Sequence, residues 1–406
     1  MNGARTRTPL RVTVVLGMLS TFGPLSLDLY LPSLPELADE LHASASASQL
    51  SITTCLLGLA VGQLAAGPLS DRFGRRRPLM VGLVLYVLTS AACAFAPSIW
   101  ILLGLRLLQG LAGAAGIVIA RAVARDLYSG RPLVVFFARL QLVSGLAPVI
   151  APVLGGQLVR VMSWRGVFGV LTGLGVVLLA AAWFGLPESL PPQRRLLRDL
   201  RTTLSGFGTL LRDRFFMGAG LSSGLAGASM FAYIAGATFV LQRLYHLSPQ
   251  GFSFVFGSNS VGLMLTAQLG GRLVRRFAPG RLLAAGLAAN TVGSVGVLVT
   301  MLGGLGVKAL VVCLFVMVAS LGLVFPNAMA LALADHGAQA GTASSLLGLG
   351  QYAVGALVAP LVGIAGEATG VPMGVVAACA SVAAVGMFAA FVRRRAFAPE
   401  PDEAPA

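Results

Sequence analysis

Stretches of about twenty apolar residues follow one another along the whole of this chain, and that pattern decides its solvent. In a bilayer, a helix of that length crosses the hydrocarbon and satisfies its own backbone hydrogen bonds. Runs bounded by charge, Pro or Gly predict twelve spans, at 11–32, 47–69, 78–96, 98–124, 133–159, 164–186, 215–242, 249–273, 280–303, 307–333, 340–366 and 371–392. Only 11% of the 406 residues are charged and the mean hydropathy is +0.86. A soluble domain carries roughly 25% charged residues. The expected fold class is therefore all-α, a polytopic membrane protein.

The connectors divide the spans. The longest polar interior segment, 187–214, carries Arg194, Arg195, Arg198, Arg201, Arg212 and Arg214 and leaves six spans on either side. Around Gly67 a turn is expected, with Gly67 and Gly74 permitting it and Arg72, Arg75, Arg76 and Arg77 beside the single acid Asp71. A weaker copy stands 204 residues later, where Gly271, Leu273, Arg276 and Phe277 repeat Gly67, Leu69, Arg72 and Phe73. Duplication on that scale predicts two pseudo-symmetric six-helix bundles, at 1–186 and 215–395. The segment 187–214 is then a linker, and 396–406 a disordered tail, short, Pro-rich and acidic.

Charge fixes an expected orientation. With the N-terminus inside, 24 Lys and Arg residues collect in cytoplasmic connectors and only Arg160, Arg165, Arg243 and Lys308, 4 in all, lie outside. Both termini are thus expected on the cytoplasmic side of the cell membrane. The net charge of +15 does not mark a nucleic-acid binder, because the cations fall in short clusters between apolar runs. Glu36, Asp39 and Glu40 fall in the first external loop. The first run lacks a small-residue cleavage site and is read as a retained helix.

Few residues carry chemistry. Asp28 stands inside the first span, where an ionised carboxylate costs about 2.5 to 3.5 kcal/mol, so a cavity-facing, protonatable role is expected. Arg106 is its counterpart in the fourth span and must find a carboxylate, a carbonyl or water. Asp28, or backbone exposed by a broken helix, would serve. Tyr30 and Gln109 stand close by in sequence and are candidate pocket residues. The fifth span combines Gly145, Pro148, Pro152, Gly155 and Gly156, which predicts a kinked, closely packed hinge or seal. In the second half, Phe231, Tyr233, Phe256 and Asn259 mix aromatic faces with small neighbours, as a pocket for flat organic molecules requires. Phe325-Pro326-Asn327 predicts a helix break within the tenth span.

Other chemistries lack their residues. His42, His246 and His336 form no metal pair, and no phosphate-binding loop or zinc-protease motif occurs. Cys55, Cys93, Cys313 and Cys379 each lie in an apolar run and are expected to be buried. The chain is expected to be no enzyme, to need no cofactor or metal, and to draw its energy from an ion gradient unless it works passively.

Twelve spans, the six-plus-six division and the segment Gly67–Arg77 resemble the major facilitator superfamily. That segment is similar to its loop signature Gly-x-Leu-x-Asp-Arg-x-Gly-Arg-Arg at every fixed position. Leu105 to Gly110 resembles its fourth-helix signature, and Pro152-x-x-Gly155-Gly156 its antiporter motif, with Ala151 where Gly is usual. Asp28 to Pro35, Arg121 to Asp126, and Leu247-Ser248-Pro249 with Phe252 and Asn259 resemble the Bcr/CflA multidrug efflux group. The resemblance implies proton-coupled efflux of drugs such as chloramphenicol, bicyclomycin or sulfonamides. Asp28 would then be the proton or substrate carboxylate, Arg106 its coupling partner, and Asp71 with Arg72 and Arg75 a conformational latch. A helix N-terminus such as Gly341 to Ser345 is a candidate seat for Asp71. Arg275 replaces Asp71 in the second copy, so one latch only should be complete. The implied partners are a small-molecule drug, protons and the lipid bilayer, and nothing demands more than a monomer. The rival reading is a proton-coupled importer of a small metabolite on the same fold.

Overall fold

The computed structural model describes residues 10–128, 130–194, 208–336, 340–363 and 369–396. Arg5, Arg7, Arg195, Arg198, Arg201, much of the expected linker and the tail from 397 lie outside the described residues. Those described are helical throughout, with no strand. The long helices are α4 (Ala45–Phe73), α5 (Arg76–Ala94), α6 (Ile99–Leu127), α7 (Gly130–Leu158), α8 (Trp164–Gly185), α9 (Arg214–Phe239), α10 (Pro249–Leu273), α11 (Pro279–Gly303), α12 (Gly306–Leu333), α13 (Ala340–Val362) and α14 (Val371–Met387). The π-helical turns Val240–Leu244 and Phe388–Val392 extend α9 and α14, and α15 (Arg393–Ala396) follows the second.

The first expected span is not one helix. It is α1 (Leu10–Ser20) and α2 (Phe22–Asp28), followed by a 3₁₀ turn at Leu31–Ser33 and a short α3 (Leu34–Glu40) where a loop was expected. Pro32 and Pro35 lack backbone N–H groups, and each stands in the first turn of the helix it opens, where that loss is harmless. Elsewhere helix wins over expected breaks. Pro326 lies within an unbroken α12, and Gly67 and Pro68 within α4; α7, where a kink rather than a break is expected, runs on through Pro148 and Pro152. The turn in the Gly67 segment is made by Gly74 alone, whose φ of +87° is a conformation that favours glycine.

Eight helices are long and apolar enough to cross a bilayer among the described residues, and the first pair, bent by 43°, makes a ninth. The other three expected spans fall on α7, α10 and α13. In α10 the residues Ser253, Ser258, Asn259, Ser260, Thr266 and Gln268 lower the hydropathy. Outward-facing side chains such as Phe184, Trp100 and Leu357, exposed by 81%, 70% and 73%, need hydrocarbon around them.

Two compact units divide the chain: 1–200 with 248–257, and 201–247 with 258–406. Within the first, α4 and α6 approach so closely that a Cβ on Gly58 or Gly62 would run into the backbone of Leu107 and Leu111, and one on Gly110 into the Cys55 carbonyl. Small residues permit such contact where lipid offers no hydrophobic drive. In the second unit α11 and α12 do the same, Gly293 lying against the Met317 backbone. Of the cysteines, Cys55 and Cys93 are buried as expected, Cys313 is intermediate, and Cys379 is exposed. Cys379 lies on an outward face of α14, where an apolar thiol suits lipid.

Candidate functional site

Arg106 has no exposed surface, so it does not reach out to the membrane edge. Its Nη1 donates to the Ser26 carbonyl at 3.0 Å and to Gln109 Oε1 at 2.5 Å, and its Nε to the Ser51 carbonyl at 3.3 Å. Ser26 lies in the last turn of α2, where helix termination leaves carbonyls unpaired. A broken helix thus supplies the acceptor. The Tyr30 ring lies 4.5 Å and the Phe168 ring 5.6 Å from the guanidinium carbon. Ser51 Oγ donates to the Ser48 carbonyl at 2.6 Å, so Tyr30 OH is the donor in its 2.9 Å bond to Ser51 Oγ. Gln109 Nε2 donates to Ser90 Oγ at 2.7 Å. Tyr30 and Gln109, expected as pocket walls, are enclosed and committed to supporting Arg106.

Asp28 is buried, 5% exposed, yet it does not pair with Arg106. No ion pair or side-chain hydrogen bond joins it to another described residue. Of the two partners expected for Arg106, the Asp28 carboxylate or backbone exposed by a broken helix, the structure supplies the second. Arg106 Nη2, Ser48 Oγ and Gln49 Oε1 are also buried without partners among the described residues. Such orphans are expensive and mark a place for water or ligand.

The α7 motif packs against the same break. A Cβ on Gly155 would overlap the Leu29 carbonyl, and one on Gly156 would overlap Ser253 Oγ. Gln250 Nε2 donates to the Gly156 carbonyl at 2.7 Å. Pro152 is buried, while Gly145 has nothing within 4 Å of an added Cβ and so sits apart from this seam.

Arg75 organises the far end of the first unit. Its Nη1 donates to Asp71 Oδ1 at 2.5 Å and to Ser70 Oγ at 2.8 Å, and its Nε to Asp126 Oδ2 at 2.9 Å. Burial pushes this guanidinium down, but Asp126 and Asp71 outweigh it and hold the group above its ordinary value. Glu188 accepts from the backbone N–H groups of Arg75 and Arg76, at 2.8 and 3.2 Å, so a carboxylate covers the positive start of α5. Ser189 Oγ donates to Asp126 at 2.8 Å. Arg72 stays exposed, 5.2 Å from the Phe73 ring. The roles of Asp126 and Glu188 escape a local sequence pattern, because their partner Arg75 lies 51 and 113 residues away. In the second copy, Arg272, Arg275 and Arg276 have no ion pair among the described residues.

Of the second-half candidates, Asn259 Nδ2 donates to Tyr233 OH at 3.0 Å in the second unit, and Asn259 Oδ1 has no partner among the described residues. Phe231 lies 6.4 Å from the Tyr352 ring in that unit. Phe256 packs 5.8 Å from Phe252 in the first. Among the described residues no group of His, Cys, Asp or Glu is placed to hold a metal.

Residues 16–360 match the family model described as Major Facilitator Superfamily. An uncharacterized MFS-type transporter of Bacillus subtilis, YdgK, is 40% identical over 90% of this chain and 92% of its own length. A bicyclomycin resistance protein homolog of Haemophilus influenzae is 30% identical over 89% and 90%. Among solved structures, a partially occluded inward-open xylose transporter, XylE of E. coli, superposes with a TM-score of 0.74 at 14% identity, covering 99% of this chain and 100% of that one. That likeness is one of fold.

Proposed function

The chain belongs to the Major Facilitator Superfamily and is a multi-pass membrane transporter rather than an enzyme, and we propose that it exports lipophilic antibiotics across the cytoplasmic membrane in exchange for protons. The buried, partnerless Asp28 carries this reading. An ionised acid in hydrocarbon costs about 2.5 to 3.5 kcal/mol, and proton uptake removes that charge. The bicyclomycin resistance homolog supports a drug as the cargo, which we take to be of bicyclomycin, chloramphenicol or sulfonamide type.

Coupling runs through the helix break. Asp28 and Tyr30 flank the end of α2, whose Ser26 carbonyl Arg106 holds, so a change of charge on Asp28 strains the same turn that Arg106 clamps. Within the first unit, the orphan donor Arg106 Nη2 and the acceptor Gln49 Oε1 are polar groups free to meet a cargo. The Arg75 network is the gate, remote from the cargo and, by the distribution of cations, on the cytoplasmic side with both termini. The transporter acts as a monomer.

The test is drug-dependent proton flux in proteoliposomes. Asp28→Asn is expected to lower coupled flux at least about tenfold, a barrier of about 1.4 kcal/mol, while reconstituting normally. Undiminished coupling would sink the assignment. Inverted vesicles with an acidic lumen should load drug, which an importer of a small metabolite would not do.

A further inference from the structure

We propose that the lipid-facing groove between α11 and α14 seats an acyl chain of an anionic phospholipid, with Arg393 at its mouth holding the headgroup. The cavity measures about 550 Å³ and lies wholly in the second unit. Ala284 and Ala288, one turn apart on α11, form one wall, and Val382 and Val385 form the other. Short alanines recess α11 between bulkier neighbours, which leaves a trough. Thr291 also lines it, but its hydroxyl donates to the Leu287 carbonyl at 2.9 Å, so the wall presents hydrocarbon.

The end of the trough differs from its walls. The π turn at Phe388–Val392 takes up an extra residue, so the chain after it is rotated by about 100° from where an unbroken helix would put it. Arg393 comes next and lines the cavity. The helix that it opens, α15, packs against α11, whose first turn carries the exposed Arg281. Arg395 is already taken, 2.6 Å from Asp335 and stacked 4.7 Å from the Phe215 ring. Arg281, Arg393 and Arg394 pair with no carboxylate among the described residues. An apolar trough that ends at the unpaired cation Arg393, with Arg281 on the helix packed against α15, fits an amphiphile of opposite charge, whose chain and phosphate meet the two parts in order. The comparable groove of the first unit, about 640 Å³, lacks this ending. Its Arg165 is bonded to Glu40 and to the Ala94 and Ala96 carbonyls.

Native mass spectrometry of the full-length protein in detergent, titrated with phosphatidylglycerol or phosphatidylcholine of matched chains, tests the site. Wild type should retain phosphatidylglycerol about fivefold more than phosphatidylcholine, the scale of one arginine's attraction to an anionic surface. Arg393→Gln with Arg281→Gln should bring the two lipids level. Ala288→Phe, which fills the trough, should lower both. Thermal melting confirms that each variant is folded; should Ala288→Phe not fold, a phosphatidylglycerol with a photoreactive acyl chain should crosslink wild type within 284–291 or 382–389. Equal retention of the two lipids by wild type, retention unchanged in the arginine variant, or crosslinks confined to other helices would overturn the proposal. Displacement of phosphatidylglycerol by equimolar glycerol phosphate would overturn it too, since the phosphate alone would then account for binding.

Discussion

Arg106 shows what one buried cation demands. Its donors reach two backbone carbonyls and one amide, all presented from fixed directions, and a planar fork meets them where a lysine's point charge cannot. Arg106→Lys should therefore fold but transport at least about tenfold more slowly in the proteoliposome assay. Arg106→Leu should be harsher, because Ser26, Ser51 and Gln109 would each lose a donor, at about 1–3 kcal/mol for each buried orphan. A large drop in melting temperature in detergent reports that loss. A lone arginine in an apolar run is legible in sequence, since hydrocarbon forces it to find a partner. Which partner it finds is not, for carbonyl acceptors exist at every residue and only the fold selects Ser26 and Ser51. The same holds for Asp28, whose place inside a span is legible while its pairing with Arg106 is left open by the sequence and decided by the fold.

At the scale of the element, α6 carries a matched pair of glycines. A Cβ on Gly110 would overlap the Cys55 carbonyl of α4, whereas one on Gly104 meets nothing within 4 Å. Gly110→Val should abolish recovery of folded protein, and Gly104→Val should leave recovery and melting near wild type, which gel filtration in detergent decides. Equal behaviour of the two would refute the close α4–α6 crossing. The capping of α5 gives a milder expectation: Glu188→Gln removes a carboxylate from a helix start and should cost about 0.3–1 kcal/mol, seen as a small fall in melting temperature. Helix limits were legible to within a few residues because hydropathy sets them. The breaks were not, because Pro326 and Pro68 could be accommodated inside helices by their neighbours, whereas the Pro32 and Pro35 pair opened new ones.

For the whole molecule, the two halves share a plan but not their charges. The first gathers Asp71, Arg75, Asp126 and Glu188 at one end, and the second relies on Asp213, which caps α9 through the N–H groups of Phe215 and Phe216 and lies 2.8 Å from His336. Burial pushes the Asp213 carboxyl up, but those amides and His336 outweigh it and hold it below its usual value. Its contribution is present above the unfolded carboxylate value of about 3.9 and fades as pH falls through the lower folded value. Below about pH 4 the melting temperature of wild type should fall more steeply than that of Asp213→Asn, as a pH series of thermal melts can show.

The first unit is discontinuous in sequence: it needs 248–257, whose Gln250 and Ser253 meet Gly156, as well as 1–200. This gives its assembly a timetable. Synthesis runs from the N-terminus at about 5–20 residues per second, so helices α1 to α8 wait in the membrane until the ribosome has passed residue 257. During that interval the α7 seam at Gly155 and Gly156 is only partly covered. A nascent chain halted at residue 200 is thus an unfinished object, its Gly156 lacking the contacts of Gln250 and Ser253.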